Sequence, residues 1–205
     1  MIKIFTNGDR EHSAELFDQM FKSRAVVFYE RLHWNVTVKN GWETDRYDDE
    51  DPVYLLSLAE GGQLQGSLRL LPTTGPTMLQ NEFSDFFTES VDVSAPTIWE
   101  CTKFCIPPQL SKDSRKAVSE TSAELLIGLC ELCLSSGIEF VVGVYDASMP
   151  RIYRRIGWGP ELLARSRPEI GDISVGLWEA TPSVLAMMKQ RLAERTNGRQ
   201  LLAAE

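Results

Sequence analysis

An arginine set in an aromatic stripe is the first feature of this chain with chemical consequences. Phe17, Phe21, Arg24 and Phe28 stand at i, i+4, i+7 and i+11, one face of a helix. A guanidinium on such a face leaves water and has to be paired. Its partner is either a carboxylate of the chain itself, a structural salt bridge, or the carboxylate of a ligand held by both arms of the fork. The segment that follows carries Trp34 and Trp42 among Glu43, Asp45, Asp48, Asp49, Glu50 and Asp51. Aromatic faces beside carboxylates suit an organic cation; a solvated acidic loop is the plainer alternative. A calcium loop does not fit, because Arg46 interrupts the run and the required glycine is missing. Arg151, Arg154 and Arg155 fall at i, i+3 and i+4, a basic helix face on a chain of net charge −8. Such a face suits an acidic or phosphate-bearing partner, or is solvated and paired with nearby acids.

The elements that must carry these residues are mixed α and β. KIFT is a first strand and residues 11–30 a helix, followed by an irregular acidic stretch from Arg31 to Pro52. VYLLSLA (53–59), QLQGSLRLL (63–71) and TIWECTKFCI (97–106) read as strands, with a hairpin turn at the glycine pair 61–62. A helix follows from about Ser114 to Ser136, ended by Gly137. EFVVGVYD (139–146) is apolar on both faces and so belongs at the centre of a sheet. A short helix at 149–158, a last strand at 172–180 and a helix from Pro182 complete the chain, its tail from about 190 to 205 charged and peripheral. The order predicts an α/β fold of one domain spanning 1–205, a sheet sandwiched by helices.

Composition narrows the function. With 205 residues, 43% of them hydrophobic, the chain can bury a proper core. Its acidic balance speaks against nucleic acid. No apolar run approaches the length of a membrane span, and the N-terminus has no apolar signal core, so no membrane insertion and a cytoplasmic location are expected. Cys101, Cys105, Cys130 and Cys133 lie in strand-like and helical apolar runs, as buried free thiols do, and no metal site is expected from them. Two histidines, His12 and His33, leave little material for histidine-based catalysis.

Arg24, Phe28, Trp34, Asp45, Asp48, Arg69 and Glu100, at these separations, resemble the signature of the acyl-homoserine-lactone synthases; the strings YDDEDPVYLL, GSLRLLPTTGPTML and WECTKF support the match. The resemblance covers nearly the whole chain and weakens only in the tail. It implies a GNAT-like three-layer α/β/α sandwich with a twisted central mixed sheet, the acyl-pantetheine arm entering between splayed strands. It implies two substrates, S-adenosylmethionine (SAM) and an acyl thioester of acyl-carrier protein or coenzyme A, and no cofactor. The SAM α-amine attacks the thioester, and the SAM carboxylate then closes on Cγ and expels methylthioadenosine. An α-amine has a pKa of about 7.7–8.0, so no strong base is required.

Carried over on that resemblance, Glu100 accepts the amine proton, and Arg24 holds the SAM carboxylate or orients Glu100. Phe28 and Trp34 face the adenosyl and sulfonium region, and Asp45 and Asp48 fix the amine or pair with Arg69 and Lys103. Lys103 departs from the family, which usually has arginine there, and lysine lacks the planar fork. In a regular strand Glu100 and Lys103 point to opposite faces, so a shared site requires a bulge. Phe104, Val142 and Gly143 are expected in the acyl pocket. Some relatives that prefer 3-oxo chains have threonine where Gly143 aligns, so glycine there implies an unsubstituted chain and room for a long one. Arg151, Arg154 and Arg155 would dock the carrier protein or coenzyme A. Two other readings stay open. One is a GNAT-type N-acetyltransferase, against which PPQLSKDSRKAVSE lacks the glycine of a pyrophosphate loop. The other is a degenerate, non-catalytic SAM- or carrier-binding protein.

Overall fold

The computed structural model describes residues 1–108 and 114–202, and of residues 114–117 and 196–202 the backbone alone. Part of the glycine-free stretch (109–113) and the end of the tail (203–205) lie outside the described residues. Seven strands make the main sheet: β1 (Ile2–Phe5), β4 (Val53–Leu58), β5 (Leu64–Pro72), β6 (Ile98–Cys105), β7 (Phe140–Asp146), β8 (Glu161–Arg165) and β9 (Ile173–Glu179). Their spatial order is β1-β4-β5-β6-β7-β9-β8. The sheet is mixed, because β6 and β7 run parallel while every other neighbouring pair is antiparallel. A two-stranded hairpin, β2 (Val38–Lys39) and β3 (Trp42–Glu43), stands apart.

Strand alternation divides the core into two. Leu55, Leu68, Leu70, Val141 and Trp178 face α2 (Ser114–Ser136), with α3 (Met149–Ile156) and α4 (Pro182–Leu202) alongside. Tyr54, Leu56 and Leu58 face the other way, onto Phe17, Met20 and Phe21 of α1 (Ala14–Arg24). Further along that second face, Val142 and Val175 lie under Leu79 and Phe87 of the long β5–β6 connection. The result is the expected three-layer sandwich, with β7 inside the sheet. Gly137, at φ 71°, ends α2: Ile138 N–H reaches back to Cys133 O at 2.9 Å.

Three local expectations are corrected. The helix expected over 11–30 is α only from Ala14 to Arg24; Ala25–Arg31 is a π-turn, with Leu32 N–H bonded to Val27 O. The wider turn rotates Phe28 out of the Phe17–Phe21 stripe and onto Val27 and Cys105. The acidic stretch is not irregular throughout, since it holds the β2–β3 hairpin and a 3-10 turn at Arg46–Asp49. An edge strand, β8, follows α3; five residues beside a proline, exposed on the outside, carry too little alternation to announce it.

Candidate active site

Lys103 is the key to the local geometry. Ser67 pairs with Cys105 and Arg69 with Thr102, so two steps along β5 match three along β6. The extra residue is absorbed at Lys103, which takes the left-handed conformation at φ 51°. This is the bulge that a shared site demanded, and it turns Lys103 Nζ onto Glu43 Oε1 at 2.7 Å and Asp45 Oδ2 at 3.1 Å.

These contacts belong to a cage of three cations and three carboxylates. Arg24 donates through Nε to Glu43 at 2.6 Å and through Nη1 and Nη2 to the two oxygens of Asp48 at 2.8 and 2.9 Å. Arg69 donates to Asp45 at 2.5 and 3.1 Å and to Asp48 at 2.8 Å, its Nε held by Thr102. Asp48 also accepts from Tyr54 Oη and from the Asp45 N–H. Three positive charges balance three negative ones, which is how buried ions are tolerated. Burial works against each charge and the pairing wins: Asp48 and Asp45 are held below the usual carboxylate range by the neighbouring arginines, and Arg24 and Arg69 above the usual guanidinium value. Of the two readings of Arg24, its partners are carboxylates of its own chain, and it is not bonded to Glu100. Asp45 is the cage member with an open edge, its side chain 22% exposed against 3% or less for Glu43 and Asp48.

The aromatic pair flanks this opening. Phe28 and Trp34 stack at 5.1 Å with 9° between planes, Lys103 Nζ lies 5.4 Å over Phe28, and Trp34 is half exposed. Trp42 stands elsewhere, tilted against the Phe21 ring with its indole N–H on Asp18.

Glu100 lies on the same sheet face but outside the cage. It is opposite Leu71, two residues from Arg69, and its oxygens accept from Met78 N at 2.9 Å and Leu79 N at 2.7 Å. Burial pushes its pKa up to about 7, partly offset by the two N–H donors and by Arg69. A carboxyl group so placed exchanges a proton near neutrality.

Beyond Glu100 the sheet opens. The β6–β7 pairing covers Ile98–Glu100 and Phe140–Val142 only, although both strands continue, so they part from Cys101 and Gly143 onward. The expected acyl-pocket residues divide between two faces. Val142 sits beside Glu100, while Phe104 and Gly143 face the α2 core. The room expected beside Gly143 is taken: a Cβ there would lie 3.2 Å from the Cys101 carbonyl and 3.5 Å from the Trp178 ring. Arg151, Arg154 and Arg155 are exposed on α3, and no ion pair involves them among the described residues. The four thiols are free; burial raises Cys101, Cys105 and Cys133 to about 12 and Cys130 to about 11, which leaves them unreactive.

Several groups at the site had no distinguishing sequence signal. Glu43, the partner shared by Arg24 and Lys103, was one acid among six within nine residues. Tyr47, buried in the 3-10 turn, has its hydroxyl 3.0 Å from Thr77 O and beside the Glu82 carboxylate. The Met78 and Leu79 amides are main chain and invisible to side-chain patterns.

A mixed sheet that parts between two inner strands defines the fold class of the GNAT acetyltransferases. An acetyltransferase of the GNAT family from Staphylococcus aureus, 11% identical, superposes with a TM-score of 0.52 over 88% of this chain and 100% of its own, a likeness of fold alone. The chain belongs to the autoinducer synthase family, whose model matches residues 8–177. The acyl-homoserine-lactone synthase of Rhizobium etli is 51% identical over 194 residues, 94% of this chain and 91% of that one. Among solved structures, the CoA-dependent acyl-homoserine-lactone synthase BjaI, with SAM and isopentyl-CoA, superposes with a TM-score of 0.82 at 27% identity, over 94% of this chain and 89% of that one.

Proposed function

We infer that the two openings of the site receive two substrates, SAM at the caged carboxylates and an acyl thioester at the parting of β6 and β7. The chain is an acyl-homoserine-lactone synthase. The SAM α-amine forms the amide bond as the thioester C–S bond breaks and the thiol leaves. The SAM carboxylate then bonds to Cγ as the Cγ–S⁺ bond breaks, releasing methylthioadenosine. Atoms and charge balance with one proton given up, and no cofactor is needed. Both substrates are made in the cytoplasm, which is where we place the reaction.

The observation that carries the catalytic assignment is the position of Glu100: buried, poised near neutrality, and flanked by the cage on one side and Val142 at the strand opening on the other. We assign it the amine proton, taken directly or through water. Asp45, with its open edge, fixes the amine; Phe28 and Trp34 face the sulfonium and adenosyl region. Arg24, Asp48 and Arg69 act by holding Asp45 and Lys103 in place. Lys103 keeps the cage balanced in place of arginine, which argues against a degenerate binding protein. Two independent results test Glu100. Turnover should rise with pH through about 7, because the base works as the carboxylate. Glu100→Gln should lower turnover by roughly a hundredfold while SAM binding is kept. Unchanged turnover would remove Glu100 from the base role.

A further inference from the structure

Outside the cage, one buried tyrosine joins two turns that the reaction needs together. Tyr47 lies in the 3-10 turn between Asp45 and Asp48, and its ring packs under the Arg69 guanidinium, 5.5 Å from the centroid. Its hydroxyl meets Thr77 O at 3.0 Å and the carboxylate of Glu82, and accepts from Arg46 Nη2 at 2.8 Å. Arg46 closes the group on Glu82 at 3.3 Å. Thr77 begins the turn whose next two amides, Met78 and Leu79, hold Glu100. Asn81 Nδ2 braces the Thr77 carbonyl at 2.7 Å, and Arg69 Nη2 touches Met78 Sδ at 3.3 Å.

We propose that Glu82 is a positioning residue: with Arg46 and Tyr47 it latches the Thr77–Asn81 turn to the Asp45–Asp48 turn, and so keeps Glu100 in register with the face that receives the SAM amine. The inference rests on the assignment of Glu100 as base. An exposed ion pair such as Arg46–Glu82 contributes little alone; here it fixes a buried phenol, and through it the two amides. The charged groups facing Glu100 are Arg69 from β5 and Glu82 from the connection, with Asp45, Asp48, Arg24 and Lys103 behind Arg69. Those facing Glu82 are Arg46 and Tyr47.

The test is amide hydrogen exchange resolved at Met78 and Leu79, measured with steady-state pH profiles on the purified full chain. Glu82→Ala should raise exchange at both amides several-fold. It should also lower kcat about three- to tenfold, with the Michaelis constant for the acyl donor unchanged. Loss of the Met78 and Leu79 donors should place the acidic limb of the profile above that of Glu82→Gln, which loses the same negative charge but keeps the donors. Glu82→Gln retains an acceptor for Tyr47 and loses the negative charge, so it should keep exchange slow and move the limb downward. Unchanged exchange in Glu82→Ala overturns the latch. Faster exchange with a limb no higher than that of Glu82→Gln and wild-type kcat overturns the positioning role. Failure of the base assignment is read separately, as retained turnover in Glu100→Gln.

Discussion

Lys103 carries a charge into the protein from a backbone conformation that a side chain rarely adopts, and both facts have consequences. The left-handed position costs on the order of 1 kcal/mol; the return is an ammonium seated on Glu43 and Asp45. Lys103→Ala leaves both carboxylates short of a partner and should destabilise the fold by about 3 kcal/mol in urea unfolding. Lys103→Arg should stay within about 1 kcal/mol of the parent, since a guanidinium can span the same two acids. A Lys103→Ala protein as stable as the parent would show that the cage does not depend on this charge. At this scale sequence reading reached the burial of Arg24, because an arginine among phenylalanines at helical spacing has nowhere else to go. It could not choose Glu43 and Asp48 as its partners, since six acids within nine residues are equivalent until the hairpin and the 3-10 turn orient them.

At the scale of elements, the β6 bulge does two things. It puts Lys103 on the Glu100 face, and the bend and added twist of a bulged strand carry the end of β6 away from β7. The need for a bulge was legible in the three-residue spacing of Glu100 and Lys103. The π-turn after Arg24 was not, because its wide hydrogen bonds follow from packing against Cys105 and Val36 rather than from any local residue preference. Gly143 marks where the strands part. Gly143→Val would press a branched side chain against a backbone carbonyl and the Trp178 ring, neither of which yields easily. The variant should raise the Michaelis constant for the acyl donor several-fold and leave that for SAM in place. Equal changes in both would mean that this split does not receive the acyl chain.

For the molecule as a whole, charge divides between an exposed helix face and a buried cage. A chain of net charge −8 exposes three arginines on one side of α3 without ion pairs among the described residues, while the cations of the cage are buried and neutralised. An unpaired basic face attracts an anionic donor over distance and loses that advantage as salt rises. Reversing Arg151, Arg154 and Arg155 to glutamate should raise the Michaelis constant for the acyl donor at least tenfold at low salt. The change should shrink in high salt, and the constant for SAM should hold; matching effects on both substrates would sink the docking role. The sandwich itself was largely readable from strand alternation and helix caps, with β8 lost because a short exposed edge carries little pattern. Whether caged carboxylates, strand opening and Glu100 act as one site is tested most directly by mass spectrometry of lipophilic products. Cells expressing the parent chain would be compared with cells expressing the Glu100→Gln variant. A homoserine-lactone ion that is abundant in the parent and lost in the variant is the predicted result, its mass giving the acyl group. Equal yields of that ion from both proteins would contradict the account.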